Sequence, residues 1–194
     1  MFIQTEQTPN PNSLKFLPGK DVLAGDKAEF ENIDQAKASF LAADLFRVSG
    51  VKRVFFDSDF ITVSKDENAQ WALLKPQILA AIMEFYLSGQ PILDKDLYET
   101  LKSGDNTAQK VLSDMDNEIV SQIKELLDTR VRPAVAMDGG DIDFSSFENG
   151  IVYLKMRGAC AGCPSSTATL KMGVENMLKH FIPEVQSVEA VAEA

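Results

Sequence analysis

Cysteine and histidine are nearly absent from this chain of 194 residues, which has two cysteines and one histidine. A secreted domain of this size held together by disulfides would carry more cysteines, so that class is excluded. A single Cys-x-x-Cys pair is instead typical of a metal site or a redox site in a reducing compartment. We therefore expect the chemistry at Cys160 and Cys163. His180 falls in the last turn of a predicted helix, where an imidazole suits the negative helix end, and is not expected to be a ligand.

Basic residues and long apolar runs are also scarce. The chain has 19 Lys and Arg against 29 Asp and Glu, a net charge of −10, which repels nucleic-acid backbones and anionic membrane surfaces. No apolar run approaches the roughly 20 residues that span a bilayer. The start of the chain, Met1 to Glu6, lacks the basic and apolar regions of a signal peptide. It also lacks the Arg- and Ser-rich composition of a transit peptide. We predict a cytoplasmic protein, in a bacterial cytosol rather than a mature mitochondrial matrix form, without nucleic-acid or membrane partners.

The first half of the sequence has the pattern of a small α/β unit. Runs rich in β-branched and aromatic residues predict strands at 2–6, 13–17, 51–56 and 60–63. Apolar residues at helical spacing predict helices at 34–46 and 69–87, the second with Pro76 near its first turns. Glycine, proline and serine then predict a linker, giving a first domain at 1–88 and a linker at 89–113. The alternative is a surface loop, helical around 96–101.

The second half predicts the order α-β-β-α-β. A helix at 116–131 is expected to end at Pro133, and strands at 141–147 and 151–156 flank Asn149-Gly150, a strong hairpin signal. A helix from Pro164 to about 181 and a strand at 185–191 follow. The fold class is therefore α+β, with two small domains. In the second, at 114–194, two helices lie on a three-stranded sheet.

The cysteine pair lies between a predicted strand and a predicted helix. Two intervening residues let both sulfurs face one metal or cluster corner, and Gly158 and Gly162 permit the required backbone turns. Pro164 suits the first helical position, which places Cys163 at the N-cap, where the positive helix end favours a thiolate. Zinc and the common iron-sulfur clusters usually take four protein ligands. A cysteine-ligated centre therefore needs a second copy of this chain.

The same strand, Cys-x-x-Cys, helix order describes thioredoxin-like redox sites, so other chemistry stays open. In those enzymes a proline often lies between the cysteines, whereas Pro164 follows the second cysteine here. A thiol-disulfide oxidoreductase is one alternative, and a dimer bridged by structural zinc is the other. Both alternatives use the same two residues, Cys160 and Cys163.

The segment from Met156 to Ser166 resembles the C-terminal domain of the NifU family of iron-sulfur cluster scaffold proteins, as do Val131 to Pro133 and Asp138 to Ile142. Gln4 to Phe16 resembles the N-terminal domain of Nfu-type members. The resemblance implies a carrier without enzymatic activity. It implies a labile cluster, most often 4Fe-4S, held between two protomers and passed to apo iron-sulfur proteins. The implied partners are a second copy, these clients and the upstream assembly machinery, with the N-terminal domain choosing clients.

Charged residues near the cysteine pair have two interpretations each. Lys155 and Arg157 could offset the negative charge of a cluster bound by four thiolates, or could be solvated strand residues. Asp138, Asp141 and Asp143 suggest a cation site, but the run lacks an EF-hand pattern and acids at a turn and a strand edge explain it more simply.

Overall fold

The structure, a computed structural model, describes residues 2–103, 114–162 and 164–191. The chain divides into two compact units, Met1–Ala108 and Gln109–Ala194. Each unit has its own apolar core. The α+β fold class is confirmed, and among the described helices none is long and apolar enough to cross a membrane.

The first unit is built on a sheet of five antiparallel strands in the order β1-β2-β5-β4-β3. The strands are β1 (Gln4–Gln7), β2 (Ser13–Leu17), β3 (Ala28–Phe30), β4 (Val51–Phe56) and β5 (Ile61–Lys65). Side chains alternate between the two faces of a strand, so Leu14 and Phe16 both point into the core. The sequence pattern missed β3, which has only three residues.

Within the described residues this unit has three α-helices: α1 (Phe40–Phe46), α2 (Trp71–Ser88) and α3 (Lys95–Ser103). The predicted helix at 69–87 is confirmed as α2, which contains Pro76. The predicted helix at 34–46 is instead divided at Ser39, which has an extended backbone (φ −144°). The Ser39 hydroxyl accepts a hydrogen bond from the Ala42 N–H, so Ser39 starts α1 as an N-cap after a short 3₁₀ turn at Gln35–Ala38.

The first unit continues into the segment predicted as a linker. Helix α3 lies inside residues 89–113, as the alternative interpretation expected. The Tyr98 hydroxyl accepts a hydrogen bond from the Glu29 N–H (3.1 Å), and the Tyr98 ring lies 5.5 Å from that of Phe30. Residues 104–113 lie outside the described part of the chain, so the boundaries predicted at 88 and 113 stay predictions.

In its described part, the second unit has three α-helices and a three-stranded sheet of order β6-β7-β8. Its elements are α4 (Asp114–Leu126), α5 (Arg132–Met137), β6 (Gly140–Glu148), β7 (Ile151–Gly158), α6 (Pro164–Phe181) and β8 (Ser187–Ala190). Strands β6 and β7 form the predicted hairpin, whose turn residues Asn149 and Gly150 have φ of 51° and 81°. Strand β8 is parallel to β7, so α6 is the crossover between them.

Pro133 does not end the first helix of this unit, and that prediction is wrong. The Arg132 N–H donates to the Leu127 carbonyl, five residues back, so the helix widens into a π turn at Leu127–Val131. Pro133 then falls in the first turn of α5, where a backbone N–H is not needed. Because the wide turn resets the helical phase, Leu127, Val131 and Val135 all stay buried.

A charged side chain contacts the backbone at each edge of the three-stranded sheet. On β6, the Arg132 Nε donates to the Ile142 carbonyl (3.1 Å). On β8, the Glu175 carboxylate accepts from the Val188 N–H (3.0 Å). Such contacts oppose the pairing of an edge strand with another chain.

Candidate metal centre

The turn that contains Cys160 begins where β7 ends. The Cys160 N–H donates to the Arg157 carbonyl (3.2 Å), and the Ala161 N–H donates to that of Gly158 (3.2 Å). The Ala159 N–H bonds to the Gly139 carbonyl (3.0 Å), which ties the turn to the start of β6. Gly158 has φ of 59°, so a glycine suits this reversal, as predicted.

The Cys160 side chain points into the unit. Only 6% of the residue is exposed, and it belongs to the apolar core of the second unit. A Cβ added to Gly140, the first residue of β6, would overlap the Cys160 sulfur. The glycine therefore leaves the space that the sulfur occupies.

Helix α6 is joined to this turn through a side chain. The Thr167 Oγ1 donates a hydrogen bond to the Cys160 carbonyl (3.1 Å). The sequence reasoning missed both Thr167 and Gly140. A glycine at the start of a strand can indicate the close approach of another group, so the sequence did contain a signal for Gly140. No sequence signal indicated the contact of Thr167.

Cys163 lies outside the described residues, so its predicted position at the N-cap stays a prediction. Helix α6 does begin at Pro164, as expected from the preference of proline for the first helical position. In the described part of the chain, no group of three or more His, Cys, Asp or Glu could hold a metal ion. The described residues therefore offer one thiol, that of Cys160, and a complete four-ligand cluster site needs further ligands.

The charged residues next to the turn bind one another. Arg157 is 13% exposed, and its Nη2 lies 2.5 Å from the Asp143 carboxylate. Arg132 also binds Asp143 (2.7 Å) and reaches Asp128 (2.9 Å) and the fully buried Asp141 (3.6 Å). These arginine contacts account for Asp143 without a bound cation. They also show that Arg157 is neither a solvated residue nor an uncompensated charge.

His180 lies in the last turn of α6, where the sequence places it. The residue is exposed, and its ring packs edge-on against Phe181 with centroids 4.9 Å apart. Among the described residues this contact gives the histidine a surface packing role.

The two halves of the chain match two family models. Residues 3–89 match the model described as scaffold protein Nfu/NifU N terminal, and residues 123–189 match the NifU-like domain. The second match includes Cys160, Cys163, Gly140 and Thr167.

Similar proteins extend over nearly the whole chain. The protein named NFU1 iron-sulfur cluster scaffold homolog, mitochondrial, of Drosophila willistoni is 56% identical over 98% of this chain and 64% of its own length. That of Drosophila ananassae is 56% identical over 100% of this chain and 65% of its own length. The chain thus spans just under two thirds of these relatives. Among solved structures, the NifU-like protein from Saccharomyces cerevisiae is 30% identical over 49% of this chain and 86% of that chain, with a TM-score of 0.45.

The predicted cytoplasmic location is wrong. The relatives that match almost the whole chain are named as mitochondrial proteins. The prediction rested on the composition of Met1 to Glu6, and that composition does not identify the compartment.

Both family models are described as those of NifU-type proteins. The two relatives align with at least 98% of the chain and are 56% identical to it. The chain belongs to the NifU-like, Nfu-type family of iron-sulfur cluster scaffold proteins, with an Nfu-type N-terminal domain and a NifU-like C-terminal domain.

Proposed function

We propose that this chain is a carrier that holds one 4Fe-4S cluster between two copies of itself and passes the cluster to apo iron-sulfur proteins. Cys160 and Cys163 of each copy are the four ligands. The cluster is cargo, and the chain catalyses no reaction. The donor is an upstream assembly protein that supplies the cluster.

The observation that carries this proposal is the position of the cysteines. The only two cysteines of the sequence fall inside the segment that matches the NifU-like domain, between the last residue of β7 and the first residue of α6. Thiolate is the preferred ligand of iron-sulfur clusters, and the common clusters take four of them. Two copies of one Cys-x-x-Cys supply four.

The sheet edges disfavour a dimer that forms by pairing of strands from two copies. Arg132 bonds the backbone of β6 and Glu175 bonds that of β8, so pairing through either edge would have to displace a charged side chain. Strand pairing is therefore disfavoured as the link between two copies, which leaves the shared cluster as the proposed link.

Transfer would proceed by exchange of ligands. A thiolate of the acceptor replaces Cys160 or Cys163 on one iron, and successive replacements move the cluster to the client. Ligating thiols must be deprotonated, so each replacement exchanges one thiolate for another without a net change in cluster charge.

The N-terminal unit would select or position clients. Residues 2–103 contain no cysteine and no histidine, so they offer iron none of its usual soft ligands. A role in ligation is therefore left to the second unit. We also extend the mitochondrial location of the relatives to this chain, and subcellular fractionation would test it.

Anaerobic reconstitution with iron and sulfide tests the proposal against its two alternatives. A bound cluster gives thiolate-to-iron absorbance at about 400 nm, whereas a zinc-bridged dimer and a dithiol redox site do not. We expect this band together with iron and sulfide, and no zinc, in the anaerobically purified protein. Stoichiometric zinc without sulfide would support the structural dimer. Reduction of a disulfide substrate by metal-free protein would support the oxidoreductase.

A further inference from the structure

Thr167 makes an unusual hydrogen bond for a threonine in a helix. A threonine hydroxyl inside a helix commonly bonds the carbonyl three or four residues back. Thr100 and Thr129 do so in this chain, each bonding the carbonyl four residues earlier. The Thr167 hydroxyl instead reaches seven residues back, out of α6, to the carbonyl of Cys160.

Gly140 completes the enclosure from the opposite side. The Cys160 sulfur occupies the space that a Cβ on Gly140 would need, and the same Cβ would lie 3.0 Å from the Cys160 nitrogen. The turn is thus held at its carbonyl by α6, while its sulfur is seated against β6. The result is a cysteine with 6% exposure at the end of a strand.

We propose that Thr167 and Gly140 form a latch that keeps the Cys160 thiol withdrawn in the cargo-free chain. A sulfur packed against β6 cannot bind iron shared with another copy, so the latch must open before Cys160 becomes a ligand. This proposal rests on the proposed function in taking Cys160 as a ligand. It adds Thr167 as a positioning residue that controls access to the thiol.

The latch competes with the cargo. When only a fraction of the chains is open, the apparent affinity for cargo falls by that fraction. Closure after departure of the cluster also hinders rebinding. The latch therefore makes the cargo labile, which suits a protein that gives it away.

The first test measures thiol access without any iron. In a Cys163→Ser chain, Cys160 is the sole thiol, and the rate of its reaction with 5,5′-dithiobis(2-nitrobenzoic acid) reports latch opening. We expect the folded chain to react at least about tenfold more slowly than the same chain in guanidinium, because the thiol reacts only when the turn opens. Thr167→Val should react roughly three- to tenfold faster than the parent, the factor expected for loss of one hydrogen bond.

Three further variants separate the latch from a general loss of structure. Thr129→Val removes a hydroxyl-to-carbonyl bond of the same unit and should leave the rate unchanged. Thr167→Ser keeps a hydroxyl and should restore slow labelling. Gly140→Ala displaces the sulfur directly and should label fast, which provides a second route if Thr167→Val alters the fold. Thermal unfolding of each variant confirms that the unit is folded during labelling.

The second test uses reconstituted protein with both cysteines. The rate at which Thr167→Val releases its cluster to an iron chelator should be at least about threefold lower than that of Thr129→Val. The reason is that closure of the latch no longer competes with the cluster for the Cys160 thiol. The latch is overturned if the folded parent labels as fast as the unfolded chain, if Thr167→Val labels like Thr129→Val, or if the two release at equal rates. A chain that shows the labelling pattern but binds no cluster overturns the proposed function, and with it the competition, while the shielding of Cys160 stands.

Discussion

At the scale of single residues, the cysteine pair and Arg132 have separable roles. Cys160 and Cys163 are the proposed ligands. Arg132 joins the π turn to β6 through Asp128, Asp143 and the Ile142 carbonyl. The chemistry and the support of the site can therefore be tested with different substitutions.

Changing Cys160→Ser or Cys163→Ser should each abolish stable cluster binding. One substitution removes two of the four thiolates of a shared site, because both copies carry it. Iron and sulfide content after anaerobic reconstitution measures the effect, with Ser146→Ala as a control in the same unit. Full iron and sulfide in either cysteine variant would contradict the shared four-thiolate site.

Arg132→Met should destabilise the second unit by about 1 to 3 kcal/mol. The substitution removes the partner of buried and half-buried carboxylates, and the estimate is reduced because Arg132 is itself 33% exposed. Denaturant unfolding measures the change, and Lys171→Met provides the comparison. Lys171 pairs with Glu189 at the surface, so its loss should cost at most about 1 kcal/mol. Equal effects of the two substitutions would show that the Arg132 contacts add no particular stability.

At the scale of secondary-structure elements, Glu175 links α6 to β8. Its carboxylate binds Lys179 (2.6 Å) and the Val188 N–H (3.0 Å). The hydrogen bond from Lys179, and next that from Val188, lower the pKa of Glu175 below its ordinary value. A lowered folded-state pKa gives stability that is present above the unfolded-state pKa and is lost as the pH falls through the folded one.

The second unit should therefore lose stability in the acid range below the ordinary glutamate pKa, and Glu175→Gln should reduce that loss. The amide cannot ionise, so the variant should be less stable near neutral pH and should differ less from the wild type in acid. Urea unfolding across this pH range measures both effects, with the exposed Glu184→Gln as control. Parallel pH profiles for wild type and Glu175→Gln would contradict the contribution of this carboxylate.

The elements also show what could be predicted from the sequence. The β6-β7 hairpin and the start of α6 were predictable, because Asn149-Gly150 and Pro164 act locally and impose their own backbone geometry. The π turn could not be predicted, because an isolated proline normally stops a helix. No local pattern indicates that a π turn will place Pro133 in a first helical turn, where its missing N–H is not needed. The break of the predicted helix at Ser39 could not be predicted, because the apolar residues on both sides of it keep a helical spacing. The Ser39 side chain bonds the backbone as an N-cap, and this bond starts a new helix there.

The sequence indicates Cys160 and Cys163 as candidate ligands by their number and spacing, and that assignment stays a prediction. The enclosure of Cys160 could not be predicted from the sequence. The Cys160 sulfur packs against Gly140, which lies twenty positions earlier in the chain. The Thr167 hydroxyl bonds a carbonyl outside its own helix. Neither contact has a periodic pattern, since both arise from tertiary packing.

At the scale of the whole molecule, the two units should separate by function. The fragment 109–194 should fold, bind a cluster with the spectrum of the full chain and pass it to a small chelator at a similar rate. The fragment 1–108 should fold and stay colourless, because it has no cysteine or histidine. Transfer from 109–194 to a client enzyme should be slower than from the full chain. Equal transfer would contradict client selection by the N-terminal unit.

The central claim is one cluster shared by two copies, and native mass measurement of the anaerobically reconstituted protein, with iron and sulfide determined on the same sample, tests it most directly. We predict a dimer with one 4Fe-4S cluster per two chains, which becomes a folded monomer when the iron is chelated. A monomer that carries a complete cluster, or a dimer of unchanged mass after complete removal of iron, would contradict it.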